Sequence, residues 1–395
     1  MKNKTIDIVI ENFLYGGTTT HLLNFINSKT CKNYKFRIIT NKNNVAIQSI
    51  RKTCDMERVK IVQYQSFNYF QLQSYSLKIV FFILKPILFL ISIIQMFLLL
   101  KNAKTNIILL SCGGYGDFRS EMAAAISTLF LPKKKVFLLI HHCYLKPKLW
   151  NFLINLANRL ISKLVVTIIF VSNSTRRSIQ NNTNLVNKNT RYKIIYNGVN
   201  VKRIKTKNLK QFKTKKGIIK IGILSRIEEY KGHLDLIYAF SDLTKKEKEK
   251  FKVFLIGNGS DKFVNRLKNL IFDKELNKYF KIINFINEES FTIFKNLDLT
   301  LSLTKDFEGF GYSIAESLYA ETPVISTDVG GVSEYLNNEV ANVIKSEEKG
   351  KITVLLRDFL INKKVWKKKA KLGKKLIINH FNSEKMSKEF LKVLK

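Results

Sequence analysis

Residues 298–327 read DLTLSLTKDFEGFGYSIAESLYAETPVIST, and the punctuation of this stretch decides the fold. The alternating run 298-DLTLSL-303 predicts a strand and 304-TKDFEGFG-311 a glycine-rich loop. A helix opens near Ser313, and 321-ETP-323 turns the chain into a second strand, 324-VIST-327. Strand, loop, helix, strand is the βαβ unit, whose two strands lie parallel. Working outward, further strands are expected at 219-IKIGILSR-226, 252-KVFLIG-257 and 281-KIINF-285, and in the first half at 6–10, 36–40, 60–63, 106–110, 136–140 and 165–171. The expected class is α/β: two Rossmann-like, doubly wound parallel-sheet domains facing each other across a cleft, with ligands at the carboxyl ends of the strands. A chain of 395 residues is long enough for two such cores. The basic stretch 202-KRIKTKNLKQFKTKKG-217 is the linker candidate, giving domains over 1–205 and 206–375. A terminal helix, capped by Asn382 or Ser383, lies in 376–395 and is expected to pack back on the first domain.

The composition, 46% hydrophobic and 12% aromatic, is that of a globular protein. The net charge of +38 has two readings: a field that draws phosphate-rich partners, or the lysine usage of an AT-biased genome. Lysine clusters such as 245-KKEKEKFK-252 and 362-NKKVWKKKAKLGKK-375 lack the interleaved aromatics of a single-strand groove, so they read as wet helix faces, and no nucleic acid is expected as a partner. Cys31, Cys54, Cys112 and Cys143 form no CxxC and no zinc-like cluster, which argues against a disulfide scaffold and a structural metal. The N-terminus enters a strand-like IDIVI without an apolar leader, so a cytoplasmic location is expected.

One segment breaks the soluble pattern. Residues 79-IVFFILKPILFLISIIQMFLLL-100 are long and apolar enough to cross a bilayer. A single crossing would put half of one sheet on each side, so two readings survive: a buried helix, or two short helices broken at Lys85-Pro86 that dip into one leaflet.

Four stretches carry candidate chemistry. In 15-YGGTTTHLLNFI-26, Gly16 and Gly17 either make an ordinary turn or let backbone amides approach an anion at a helix N-terminus. In 222-GILSRIEEYKG-232, Arg226 and Lys231 leave one strand tip, a pair suited to a diphosphate, although chance cations are common in so basic a chain. In 254-FLIGNGSDKFVNRL-267, Gly257 and Gly259 form a tight βα turn. In the opening stretch, Glu308 lies on the loop and Glu316 one turn into the helix. A carboxylate there has two oxygens for the vicinal diol of a ribose, while surface positions for both are the plainer alternative.

Taken together the set resembles the retaining glycosyltransferases of family 4, which have the GT-B fold. The resemblance runs through Gly16-Gly17 with His21, the histidine after VFLLI, 170-FVSNSTRRSI-179, 194-IIYNGVN-200, Arg226, Lys231-Gly232, Gly257 and Gly259, and culminates in 308-EGFGYSIAESLYAETPVISTDVGGVSEYL-336. It implies that Gly16 and Gly17 present amides to the donor phosphate, that Arg226 and Lys231 neutralise the departing nucleotide diphosphate, and that Glu316 holds the ribose. Glu308 and the amides of Phe310 and Gly311 would face the donor sugar, with Gly257, Gly259, Gly309, Tyr312 and Ser313 as further donor-binding residues. His141 would contact the sugar near the reacting carbon, with His142 the alternative. It further implies a nucleotide-diphosphate sugar as donor, no metal and no cofactor. The acceptor would be a glycan or lipid-linked acceptor of bacterial surface polysaccharide assembly, met at an anionic membrane surface on the inner face of the cytoplasmic membrane. Two positions depart from the family pattern: Glu321 and Asn287 stand where glycine is usual. A GT-B epimerase or phosphorylase and a basic nucleic-acid-binding protein are the alternative readings.

Overall fold

The computed structural model describes residues 4–67, 75–103, 105–146, 150–202, 207–284 and 290–395. The boundary expected at 205/206, the last residue of the strand expected over 281–285, and Asn287 lie outside the described residues. The chain divides into one unit of Met1–Asn200 with Ser383–Lys395 and a second of Val201–Asn382.

The first unit runs β1 (Lys4–Ile10), α1 (Gly17–Ile26), β2 (Tyr34–Asn41), α2 (Ile47–Thr53), β3 (Val59–Tyr64), α3 (Tyr75–Lys101), β4 (Ile107–Cys112), α4 (Ser120–Ser127), β5 (Lys135–Ile140), α5 (Asn151–Leu164), β6 (Val165–Phe170), α6 (Asn173–Asn182) and β7 (Tyr192–Ile194). The strands are parallel in the order β3-β2-β1-β4-β5-β6-β7. Because both faces of such a sheet are covered, its strands are apolar almost throughout. Leu22 and Phe25 of α1 and Ile50 of α2 pack with Ile6, Ile8 and Ile38. On the other face, Met96 and Leu100 of α3, Met122 of α4, Ile161 of α5 and Ile179 of α6 pack with Val9, Leu110 and Leu138.

Helix α3 is one continuous helix through Pro86, not two pieces broken at Lys85-Pro86, and it is not a buried core helix either. Proline at 86 leaves the carbonyl four residues earlier, that of Phe82, without its helical partner. The indole Nε1–H of Trp150 donates to that carbonyl at 3.3 Å. Lys85 is buried and ion-paired with Asp117, and Phe89 packs on Phe118 with ring centroids 4.8 Å apart. Only the inner face is covered; Ile83, Ile87, Leu90, Ile94 and Leu98 are exposed.

The second unit runs β8 (Ile219–Leu224), α7 (His233–Ser241), α8 (Lys245–Lys248), β9 (Phe251–Ile256), α9 (Asp261–Asp273), β10 (Phe280–Ile283), α10 (Ser290–Lys295), β11 (Leu299–Ser302), α11 (Tyr312–Tyr319), β12 (Val324–Thr327), β13 (Asn342–Ile344), α12 (Gly350–Ile361) and α13 (Lys363–His380). Its strands are parallel in the order β10-β9-β8-β11-β12-β13. The expected linker 202–217 is largely part of this unit, because Leu209 and Phe212, three positions apart, bury themselves against Phe254, Ile293 and Phe294. The final helix, α14 (Ser383–Val393), belongs to the first unit, where Met386, Phe390 and Leu391 join the cluster of Leu22 and Phe25.

Candidate functional site

In each sheet the strand order reverses beside the first strand, and the loops leaving the carboxyl ends there open a crevice suited to ligands. In the second unit the reversal lies between β8 and β11, which pair side by side. Strand β8 delivers Ser225 and Arg226; β11 delivers Thr304 and the loop to Glu308. A small crevice between them is lined by Ser225, Lys231, Ser302, Thr304 and Ser313.

The two cations are already held by carboxylates. Lys231 Nζ donates to Glu308 Oε2 at 2.6 Å, and the Thr304 hydroxyl donates to the same oxygen at 3.2 Å. Arg226 donates through Nη1 to Glu228 at 2.8 Å and through Nη2 to the Tyr230 hydroxyl at 2.5 Å. The Tyr230 ring lies under the Lys231 ammonium at 4.9 Å and near the Arg226 guanidinium at 5.9 Å, so one aromatic face spaces both charges.

Gly257 and Gly259 buttress this loop. A Cβ on Gly257, at φ +152°, would stand 1.8 Å from the Ser225 carbonyl oxygen, and one on Gly259 would stand 2.2 Å from that of Ile227. Their bare backbone lets the Arg226 segment pass; Ile227 N–H donates to Asn258 O at 2.8 Å. Gly330 does the same behind Glu308, where a Cβ would stand 2.3 Å from the Glu308 carbonyl oxygen, and Gly331 N–H donates to that carbonyl at 2.7 Å.

Gly311, at φ +81°, caps α11. The first amides of a helix have no intrahelical acceptor and, with the dipole, favour an anion or sugar oxygen there. Gly309 is buried, and so is the Phe310 side chain, which stacks on Tyr335 at 5.2 Å and contacts Tyr312. Glu316, one turn into α11, is 9% exposed. Burial raises its carboxyl to about 7, with the Ser290 hydroxyl opposing. At the far end of α11, Glu321 adopts φ 58°, the left-handed backbone that favours glycine. Its carboxylate is pinned by Lys374 at 2.5 Å.

In the first unit, Gly16 is the extended N-cap of α1, and Gly17 is its first residue. His21 of α1 and His141, just past β5, sit ring to ring at 4.7 Å. His21 Nδ1 pairs with Asn197 Oδ1 at 2.9 Å, and His141 Nε2 pairs with Ser111 Oγ at 3.0 Å. Burial lowers His21 to about 4 and holds His141 well below the ordinary histidine value, with His21 adding to the effect, so both rings are neutral at pH 7. His142 turns aside, its Nδ1 3.1 Å from Cys143 Sγ.

Several residues around these positions carry no motif. Tyr230 and Thr304 are legible only once β8 and β11 stand side by side. Glu11, past the end of β1, meets Glu121 and Arg119 from the start of α4: Glu11 N–H donates to Glu121 Oε1 at 2.9 Å, and Ser120 Oγ donates to Glu11 at 2.8 Å. Arg119 Nε lies 4.0 and 3.8 Å from the two carboxylates. Burial raises Glu121 to about 7, against the pull of Arg119 and with the push of Glu11.

Residues 204–377 match the family model described as glycosyl transferases group 1. An uncharacterized glycosyltransferase of Methanocaldococcus jannaschii is 25% identical over 206 residues, a match spanning 51% of each chain, so about half the length of that relative. Anabaena HepE, solved with UDP and glucose, superposes with a TM-score of 0.74 over 99% of both chains at 15% identity. A glycosyltransferase from Rickettsia africae superposes at 0.75 over 100% of this chain and 98% of its own, at 18% identity. The fold is GT-B, and within it residues 204–377 are similar to the glycosyl transferases of group 1.

Proposed function

We propose that the protein is a retaining, metal-independent glycosyltransferase. In this reading it moves a hexosyl or related group from a nucleotide-diphosphate sugar to a hydroxyl of a glycan or lipid-linked acceptor, in surface polysaccharide assembly at the inner face of a membrane. The observation that carries the reading is the crevice at the end of β8, lined by Lys231 and by Ser313 of the first turn of α11, with Arg226 beside Lys231 on the Tyr230 ring. Two cations and a helix dipole are what a departing diphosphate requires. Glu228 and Glu308 hold those cations in place until the donor's phosphates displace them, so the charges need little reorganisation on binding. Glu316 in its ionised form accepts from two ribose hydroxyls. His141, neutral and oriented by Ser111, offers a hydrogen bond to the sugar without adding a charge. The acceptor's proton goes to the leaving phosphate oxygen on the same face, which retains the anomeric configuration.

HepE was solved with UDP-glucose, which makes uridine diphosphate sugars the first donors to try. The test is thermal shift of the wild type against a panel of nucleotide sugars, repeated with Arg226→Ala and Glu316→Ala. One donor should raise the melting temperature of the wild type and of neither variant. Equal shifts in all three proteins would remove the basis of the assignment.

A further inference from the structure

On the sheet face covered by α3, α4, α5 and α6, helix α4 is almost wholly buried, and α3 and α5 form the outer layer. Their exposed surfaces have one character. Along α3, Ile83, Ile87, Leu90, Ile94 and Leu98 share one stripe by helical spacing, and all are exposed, Ile94 at 61%. From Ile83 to Leu98 that stripe runs about 22 Å along α3. Along α5, Phe152, Leu156, Arg159 and Lys163 share a stripe in the same way, with Phe152 79% exposed. The Trp150 bond to the Phe82 carbonyl ties the apolar start of α5 to α3. So large an exposed apolar surface is exceptional for a soluble monomer.

The cationic end of α5 opens on a cavity of about 510 Å³, lined by Lys163, Arg191, Asn187 and Asn189. Neither Lys163 nor Arg191 is ion-paired among the described residues. The sequence makes compensation scarce: between Arg58 and Ile227 the only carboxylates are Asp117 and Glu121. Asp117 is taken by Lys85, and Glu121 is buried beside Arg119. A second copy of this chain would bring cationic rims together, whereas an anionic bilayer presents apolar depth below a layer of phosphates. The inner face of α3 stays packed on the core, with Lys85 held by Asp117, which fixes the helix along the surface and excludes a span.

We propose that the outer face of α3 and α5 seats in the interfacial layer of an anionic phospholipid bilayer, and that the Lys163–Arg191 cavity takes a lipid headgroup phosphate. This deepens the peripheral membrane location argued above and rests on that reading only for what the docking serves. The loop carrying Asp117 is knitted to the one after His141, with Leu145 N–H donating to Tyr115 O at 2.6 Å. Docking therefore fixes the loops around His141 relative to the lipid surface.

The test is flotation of the full chain with vesicles of phosphatidylcholine alone or mixed with phosphatidylglycerol. The wild type should float with the mixed vesicles, and Leu90→Glu/Ile94→Glu should abolish flotation. Lys163→Glu/Arg191→Glu should weaken it at least about 25-fold, at about fivefold per lost cation. Lys363→Glu/Lys364→Glu on α13 removes the same charge elsewhere and should change it far less. Circular dichroism and the donor-induced thermal shift, unchanged in all variants, separate this proposal from the transferase assignment. The proposal falls if the wild type ignores mixed vesicles, or if the α13 variant loses as much binding as the cavity variant. It also falls if inorganic phosphate occupies the cavity without any flotation, or if the α3 variant turns a dimer into a monomer while flotation persists.

Discussion

Glu316→Gln should make the protein more stable and less able to bind its donor, and the gain should depend on pH. Burial raises the Glu316 carboxyl from the ordinary 4.5 to about 7. Between those values the unfolded chain gives up its proton while the folded one keeps it, so stability falls as pH rises from 4.5 to about 7 and stays lowered above. At about 1.4 kcal/mol per pKa unit, the carboxylate costs about 3 kcal/mol at pH 8 and almost nothing at pH 4.5. Glutamine fills the same volume without a charge to desolvate. The variant should therefore unfold roughly 6–12 °C higher than the wild type at pH 8, and within a degree or two of it at pH 4.5. Calorimetric unfolding of both proteins at the two pH values measures this directly. The amide has one acceptor oxygen where the carboxylate has two, so nucleotide-sugar affinity should drop at least about tenfold. A variant less stable than the wild type at pH 8, or equally stabilised at both pH values, would refute the reasoning.

Other substitutions probe the rest of the architecture. Lys231→Met removes the ammonium from Glu308 and, on the proposed reading, a charge-assisted contact from the diphosphate; donor affinity by titration calorimetry should fall about ten- to a hundredfold. Gly257→Ala would drive a Cβ into the Ser225 carbonyl, so urea unfolding should show a loss of about 2–3 kcal/mol, accompanied by weaker donor binding as Arg226 shifts. The Lys85–Asp117 pair should respond asymmetrically: Asp117→Asn takes the carboxylate from a buried ammonium and should cost about 3 kcal/mol, whereas Lys85→Met leaves an Asp117 that is 35% exposed and should cost far less. Equal losses in the two variants would show that Lys85 reaches water.

The strands were legible because strands covered on both faces read as unbroken apolar runs, and 6–10, 36–40 and 324–327 coincide with β1, β2 and β12 to within a few residues. Strand β13, only Asn342–Ile344, carries too few residues to show a pattern. The basic stretch before β8 concealed its two anchors, Leu209 and Phe212, because lysine dominates the composition around them. In the site, Arg226, Lys231, Glu308 and Glu316 stand in recognisable local motifs. Glu11 and Glu121 are separated by 110 positions, and only the β1–β4 pairing and the start of α4 bring them together. Pro86 suggested a break, yet the carbonyl it orphans has an indole donor 68 positions away, which no local reading reveals.

Helix α14 has a consequence for the order of events during synthesis. Its residues Met386, Phe390 and Leu391, with Leu394 just beyond its end, belong to the same apolar cluster as Leu22, Phe25 and Ile50, and Glu384 accepts from the amides of Lys29 and Thr30 at 2.7 and 2.9 Å. A ribosome makes β1 to β7 first, then the whole of the second unit, and only then these residues. The second unit needs nothing made after Asn382, so it can reach its native state while the first still exposes Leu22 and Phe25 to water. The half of the protein that leaves the ribosome first is thus the half that finishes folding last.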